Sequence, residues 1–512
     1  MQKMKASATT FENQRRPDQG DGTFLNPLMA GDHPDPTILK DGDDYYLTFS
    51  SFETYPGLII WHSTDLVNWQ PIGPALHRRM GSVFAVDLCK VGDRFFIYMP
   101  IAPTAEGEIQ GHKVQSWVIY TDDIKSGNWS EPIYLENMDG PIDCGHVIGE
   151  DGKRYLFVSG IEYIELTDDG LATVGNYKHA LDPWQYPEDW ITECFAPEGP
   201  KMVKRGEYFY ITTAVGGTSG PVTGHMVVVA RSKSIHGPWE QHPRNPIVRT
   251  ESRDEAWWSR GHATLFEGPT DKWYLIYHGY ENDYRSLGRQ ALLDPVEWTA
   301  DGWPVAIGGD LAKPLPKPYP ASEGVHGKPL SDDFSVSRMG TQWYFYKSTN
   351  ADAGRVEFGD GLRLRAKGKD VVSSAPLNCL IGDRNYEMEI SVELEGEVEA
   401  GFLLFFDYKL FTGMGYSVEA GVQTYRNGER FLWWVKEVLG VNHVDIRITR
   451  IDHTMTIYYR AHGTMEWKRH ILRFDVQGHD ANTSVELASL RPGLYAFGEG
   501  HATFRNFKYQ AL

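Results

Sequence analysis

Asp41-Gly-Asp-Asp-Tyr-Tyr-Leu-Thr-Phe49 decides the fold, because the chain repeats it. A polar turn leads into paired aromatics and then an apolar strand. The pattern returns as Val91-Gly-Asp-Arg-Phe-Phe-Ile-Tyr98, Glu150-Asp-Gly-Lys-Arg-Tyr-Leu-Phe-Val158, Lys204-Arg-Gly-Glu-Tyr-Phe-Tyr-Ile211 and Pro269-Thr-Asp-Lys-Trp-Tyr-Leu-Ile-Tyr277. The five copies lie 50 to 65 residues apart. Asp-Gly and Gly-Asp turns between β-rich runs signal hairpins. A second element, an outer strand and turn with a packed Trp, follows three copies: Ser63-Thr-Asp-Leu-Val-Asn-Trp69, Thr121-Asp-Asp-Ile-Lys-Ser-Gly-Asn-Trp129 and Ser232-Lys-Ser-Ile-His-Gly-Pro-Trp239. No long 3.6-residue apolar period occurs before residue 310. An all-β, five-bladed β-propeller over residues 23–312 is therefore expected, with a long β-sandwich array as the alternative.

The repeat is preceded by a polar N-terminal tail, 1–22, and followed by a Pro-rich linker, 313–330. Pro314, Pro316, Pro318 and Pro320 alternate there with other residues, a density that reads as a stiff spacer. Beyond it, alternating apolar positions return at Tyr386, Met388, Ile390, Val392 and Leu394, and again at Val444, Ile446 and Ile448. They predict a C-terminal antiparallel β-sandwich, jelly-roll or concanavalin-like, over 331–512.

Bulk properties exclude several classes. A chain of 512 residues is too long for one core. The net charge of -19 speaks against nucleic acid or anionic membrane as partners, since both need a positive face. The polar start carries no secretory pattern, so a cytoplasmic location is expected. Cys89, Cys144, Cys194 and Cys379 are far apart and form neither a disulfide framework nor a thiolate zinc pattern. Aromatics make up 13% of the chain, which fits both sugar-stacking surfaces and aromatic-rich sheet cores.

In a propeller, the innermost strands bring residues from distant blades to one channel. Three acids sit in turn-rich contexts just upstream of repeat strands: Asp35 in Gly31-Asp-His-Pro-Asp-Pro-Thr37, Asp143 in Gly140-Pro-Ile-Asp-Cys-Gly-His146, and Glu198 in Phe195-Ala-Pro-Glu-Gly-Pro-Lys201. Two prolines are expected to hold Asp35 in an extended backbone. One such acid alone reads as a turn cap; three in corresponding places point to a site.

These residues carry a resemblance to glycoside hydrolase family 43, the β-xylosidase and α-L-arabinofuranosidase group. The similarity begins at Asn26-Pro-Leu-Met-Ala-Gly-Asp-His-Pro-Asp-Pro-Thr37 and includes Pro56-Gly-Leu-Ile-Ile-Trp61, Glu198-Gly-Pro200, Gly261-His-Ala263 and Leu287-Gly-Arg-Gln290. It covers about residues 25–305. The resemblance implies an inverting exo-glycosidase acting on xylo-oligosaccharides or arabinose-substituted xylan fragments. Asp35 would be the general base, Glu198 the general acid, and Asp143 the residue that orients the acid and raises its pKa. Arg289, Phe52, Phe84 and Trp61 would bind the sugar. His262 would hold a calcium ion through waters. The chain departs from many relatives at Phe84-Ala-Val-Asp87, where Trp-Ala-Pro-Asp is usual, and at Cys144-Gly145.

Two competing readings are an endo-arabinanase of the same family and a non-catalytic carbohydrate-binding propeller. The exo reading assigns the closing loop of the pocket to Phe411-Thr-Gly-Met-Gly-Tyr416. An oligomer is compatible with all three readings.

Overall fold

Each repeated turn forms the hairpin between the first two strands of a blade. The structure, a computed structural model, describes residues 11–104, 113–431, 437–484 and 486–512. Blade 1 pairs Thr37–Asp41 with Asp44–Thr48, and blade 2 pairs Asp87–Val91 with Arg94–Pro103. Blade 3 pairs Gly145–Ile148 with Arg154–Val158. Blades 4 and 5 begin with the longer pairs Cys194–Arg205 with Tyr208–Gly216 and Trp257–Glu267 with Trp273–Glu281. Each blade is a separate antiparallel sheet of four or five strands.

The paired aromatics explain how the blades adhere. Neighbouring residues of a strand face opposite sides of the sheet. Tyr45 joins the apolar cluster shared with blade 5, while Tyr46 joins the one shared with blade 2. Phe95 and Phe96 divide in the same way between the clusters on either side of blade 2. Phe209 and Tyr210 do so for blade 4, and Trp273 and Tyr274 for blade 5. One repeated dipeptide thus supplies both faces of a blade. The ring closes where Leu28 N donates to Ala291 O of blade 5 at 2.8 Å and Asn26 exchanges hydrogen bonds with the Leu293 backbone.

In the C-terminal region, Tyr386–Asp407 and Arg491–Ala511 pair along most of their length around a large apolar cluster. Among the described residues its antiparallel strands form one continuous ladder of thirteen, which includes Thr54–Tyr55 of the propeller, paired with Phe345 and Tyr346. Further contacts join the two parts. Arg384 and Arg15 both pair with Glu281, and Arg450 donates to Ser286 Oγ at 2.7 Å. Lys317, within the Pro-rich span, is buried against Asp18 at 3.0 Å.

One expectation is corrected. Phe411–Tyr416 is not a loop over the pocket; it lies inside the strand Leu410–Ser417, between two paired strands, and is buried. Glycine makes the tight fit: a Cβ at Gly413 would lie 2.6 Å from Phe402 O. The C-terminal part meets the propeller elsewhere. A cavity of about 650 Å³ lies between Asp32, Phe52 and Phe84 on one side and Tyr346, Lys347 and Tyr408 on the other.

Candidate active site

Asp35 precedes the first strand of blade 1, and Asp143 precedes that of blade 3. Glu198 and His262 lie within the innermost strands of blades 4 and 5. Bulges flank both of the latter residues. A bulge re-aims a side chain that regular pleating would send between the blades. Asp35, Asp143 and His262 have φ of 55°, 61° and 60°. This corrects the extended backbone expected for Asp35. Asp tolerates the left-handed region better than most residues, and the Asp35 N–H donates to His278 Nδ1 at 3.0 Å in compensation. Left-handed backbone at several buried polar residues that meet in one place is the pattern of a functional site.

The structure brings Asp35, Asp143, Glu198, His262 and Arg289 together, with His225 and His278 among them. Arg289 Nη1 lies 2.9 Å from Asp35 Oδ1, and Ser50 Oγ donates to Asp35 Oδ2 at 2.5 Å. His278 Nδ1 is 3.2 Å from Asp35 Oδ1. Asp143 Oδ2 accepts the Gly199 N–H at 2.9 Å and lies 3.4 Å from His262 Nε2. His225 Nε2 is 3.2 Å from Glu198 Oε1. Two glycines admit these rings. A Cβ at Gly261 would lie 2.4 Å from the His225 imidazole, and one at Gly199 would lie 2.9 Å from that of His262.

The carboxyls are driven apart electrically. Burial raises Asp35, but the charges of Arg289 and His262 outweigh it and hold the carboxyl well below the ordinary range. Burial lifts Glu198 to about 7, opposed by His262 and Arg289 and assisted by the like charge of Asp35. Burial also raises Asp143, against the pull of His262. The sequence reading gave the rise of Glu198 to Asp143. Burial is instead the leading cause, and Asp35 is the leading like charge. His225 is pushed down to about 3 by burial, so it is a neutral ring. The acids around His262 raise it despite burial.

The aromatics divide. Phe52 and Phe84 meet edge to face with centroids 5.8 Å apart, and the Arg289 guanidinium lies 5.3 Å from the Phe52 ring centre. Trp61 is not drawn to the acids. It is 6% exposed, packed in the cluster between blades 1 and 5 and T-shaped to His33, and with Phe52 and Phe84 it lines the cavity between propeller and C-terminal sheet.

Sequence reading missed His225, His278 and Ser50, and also a buried pair beside the acids. Lys201 Nζ lies 2.8 Å from Asp87 Oδ1 and donates to the carbonyls of Val86 and Cys144. It ties blades 2, 3 and 4 together under the site. The available signal was Lys201 closing the Glu198-Gly-Pro motif and Asp87 closing the altered Phe84 motif. His225 and His278 carried only the weak signal of a histidine beside or within an apolar strand.

For a cation, His262 offers a buried imidazole with both ring nitrogens lacking a hydrogen-bond partner, next to carboxylates. That fits a mostly hydrated ion held by one nitrogen; it is not an all-oxygen cage.

The comparisons agree with this architecture. The model described as "Glycosyl hydrolases family 43" matches residues 24–304. A xylan 1,3-beta-xylosidase of Vibrio sp. is 33% identical over 325 residues, covering 56% of this chain and 58% of that protein. A non-reducing end alpha-L-arabinofuranosidase of Bacteroides ovatus is 33% identical over 343 residues, covering 64% and 61%. The chain thus spans less than two thirds of the length of these curated relatives. Among solved structures, a xylan beta-1,4-xylosidase of Bacillus halodurans superposes with a TM-score of 0.81 at 24% identity, covering 95% of this chain and 99% of that one. The likeness shows that propeller and C-terminal sheet occur together in one known fold.

Proposed function

The chain belongs to glycosyl hydrolase family 43, and from that premise we propose that it is an inverting exo-glycosidase. Its substrates would be non-reducing ends of xylo-oligosaccharides or arabinose-substituted xylan fragments, with terminal β-D-xylose or α-L-arabinofuranose released. One observation carries the reading: two carboxyls of one cluster, Asp35 buried and Glu198 partly buried, are displaced in opposite directions, Asp35 down and Glu198 up to about 7. Environments that split two carboxyls in this way separate a base from an acid at one pH.

Inversion needs a protonated acid on the leaving oxygen and an ionised base that activates water on the opposite face of the sugar. Glu198, partly buried beside neutral His225, is the proton donor. Asp35, kept anionic by Arg289 and His262, takes the proton from water. Asp143 fixes the backbone at Gly199, next to the acid. Arg289 retains Nε and Nη2 with no hydrogen-bond partner in the protein, two buried donors suited to sugar hydroxyls. Phe52 and Phe84 offer the apolar wall.

A calcium ion would be held by His262 in its deprotonated form, and would supply the positive charge that the protonated ring otherwise places beside Asp35, Asp143 and Glu198. The names of the curated relatives support both sugars and do not choose between them.

The test is a panel of aryl glycosides with NMR of the first-released anomer. Release of α-xylose from an aryl β-xyloside is expected. Release of the β anomer would overturn inversion, and no release from any aryl glycoside would favour a non-catalytic binding propeller.

A further inference from the structure

A second cluster of chemistry-bearing side chains lies far from the acids, on the outward face of the C-terminal sheet. His443 opens the strand His443–Ile451, and Asp445 follows two residues later on the same face. Val444, Ile446 and Ile448 of that strand point into the core. The next strand, Thr454–Ala461, pairs Ala461 with Val444, which carries His462 alongside His443. On the other side, Ser391 of Tyr386–Asp407 is the direct partner of Asp445. Three adjacent strands therefore deliver two imidazoles, a carboxylate and a hydroxyl to one spot.

Their atoms converge. His462 Nδ1 is 2.8 Å from Asp445 Oδ1, and His443 Nε2 is 2.8 Å from Ser391 Oγ. Ser391 Oγ lies 2.9 Å from the same Asp445 oxygen and 3.3 Å from His462 Nδ1. The ligand atoms of His443, Asp445 and His462 all fall within 4.8 Å of one another, the grouping of this kind found among the described residues. The rings stack with centroids 3.7 Å apart and 13° between planes. A tetrahedral ion with bonds of about 2.0–2.2 Å needs ligand atoms roughly 3.3 Å apart, each imidazole nitrogen pointing at it in its ring plane, so binding turns the more exposed His462 ring out of the stack.

The surroundings match a ligating carboxylate. Arg460 Nε holds the other oxygen, Asp445 Oδ2, at 2.8 Å. An outer partner that fixes a ligand's orientation is the usual support of a metal site. Trp467 lies over the Arg460 and Arg447 guanidiniums at 4.2 and 4.4 Å and braces that partner. His462 is 47% exposed, so an ion can enter from solvent.

We propose that His443 Nε2, His462 Nδ1 and Asp445 Oδ1 form a binding site for a divalent transition-metal ion of the zinc class, clamping two adjacent strands of the C-terminal sheet. Two imidazoles and one carboxylate suit zinc, nickel or copper better than calcium or magnesium. The site is separate from the proposed hydrolytic centre and does not rest on it.

The experiment is zinc binding by untagged full-length protein, followed by titration calorimetry and by metal content after gel filtration. The active-site histidines are a second place for zinc, so the variants decide. One zinc per chain is expected at this site, retained in His262→Ala and lost in His462→Ala. Because His462 is half exposed, its replacement leaves the fold intact, which the thermal midpoint checks. Zinc should raise that midpoint in the parent and not in His462→Ala. Cobalt(II) in place of zinc should give a visible ligand-field band that also disappears in Asp445→Asn. Equal zinc content in the parent and His462→Ala, or no zinc retained by the parent, would overturn the site.

Discussion

Arg289 Nη1 sits 2.9 Å from Asp35 Oδ1, and both side chains are at most 6% exposed. The two come from opposite ends of the propeller sequence and meet where blade 5 closes against blade 1. A charge-assisted bond in this setting decides the ionisation of Asp35, and the first prediction tests that residue directly.

Asp35→Asn keeps the shape of the side chain and removes the base. We expect kcat on aryl xylosides or arabinofuranosides to fall by about 10²–10⁴-fold, with KM changed much less. Because the change also leaves Arg289 as a buried unpaired charge, the thermal midpoint should fall; steady-state kinetics at a temperature where the variant is folded check this, and a near-normal kcat would remove Asp35 from the mechanism.

Glu198→Gln should discriminate among leaving groups. A good leaving group, such as dinitrophenolate, departs with little protonation, whereas an alkyl or sugar alcohol needs the acid. The loss should be small for the former and approach about 10²–10⁴-fold for the latter. A uniform loss across a leaving-group series would argue against Glu198 as the acid.

The pH profile follows from the two displaced carboxyls. Glu198 must be protonated, and its value of about 7 makes activity fall as pH rises through neutrality. Asp35 must be ionised and is held well below the usual range, so the acidic limb appears only at low pH. The same shift acts on stability. Between the ordinary value of 4.5 and about 7 the unfolded chain has released the proton that folded Glu198 retains, so stability declines with rising pH across that window. Glu198→Gln removes this penalty and should be more stable than the parent at pH 8, by on the order of 1–3 kcal/mol. Denaturant melts at pH 4 and pH 8 check the sign.

Lys201→Met leaves Asp87 as a buried charge among three blades. Breaking such a pair costs about 3–5 kcal/mol. The double variant with Asp87→Leu should recover part of the loss, because it removes the stranded charge, and chemical denaturation of both variants measures it.

Removal of calcium by a chelator should lower both activity and the thermal midpoint of the parent, and calcium should restore them. In His262→Ala the chelator should have no further effect. An unchanged midpoint and rate in the treated parent would eliminate the ion.

The propeller was legible because its determinant is local and repeated. A turn and two adjacent large apolar side chains, both aromatic in four copies and Tyr155-Leu156 in blade 3, send one to each face of a strand, and five copies must then stack face against face around a closed ring. The acids were legible for a related reason: each lies in a stiff Pro- or Gly-bounded turn at the head of an innermost strand. What surrounds them was not. Ser50 and His278 lie 15 and 243 residues from Asp35, Lys201 lies 114 from Asp87, and His225 stands at the head of a different strand from the one holding Glu198, and no local pattern marks a histidine that faces a channel. Trp61 sits in a strand whose alternation allows either face, and only packing against blade 5 turned it inward. The exo reading made the stretch 411–416 a closing loop, yet its glycines serve close backbone approach in a ladder, and the neighbouring strands decided the matter. Sequence by itself determined the blades and the placement of the acids, since both follow from short-range sterics and side-chain alternation. The charge state of each acid was decided only in three dimensions, because burial and the opposing charges of Arg289 and His262 exist only after the ring has closed.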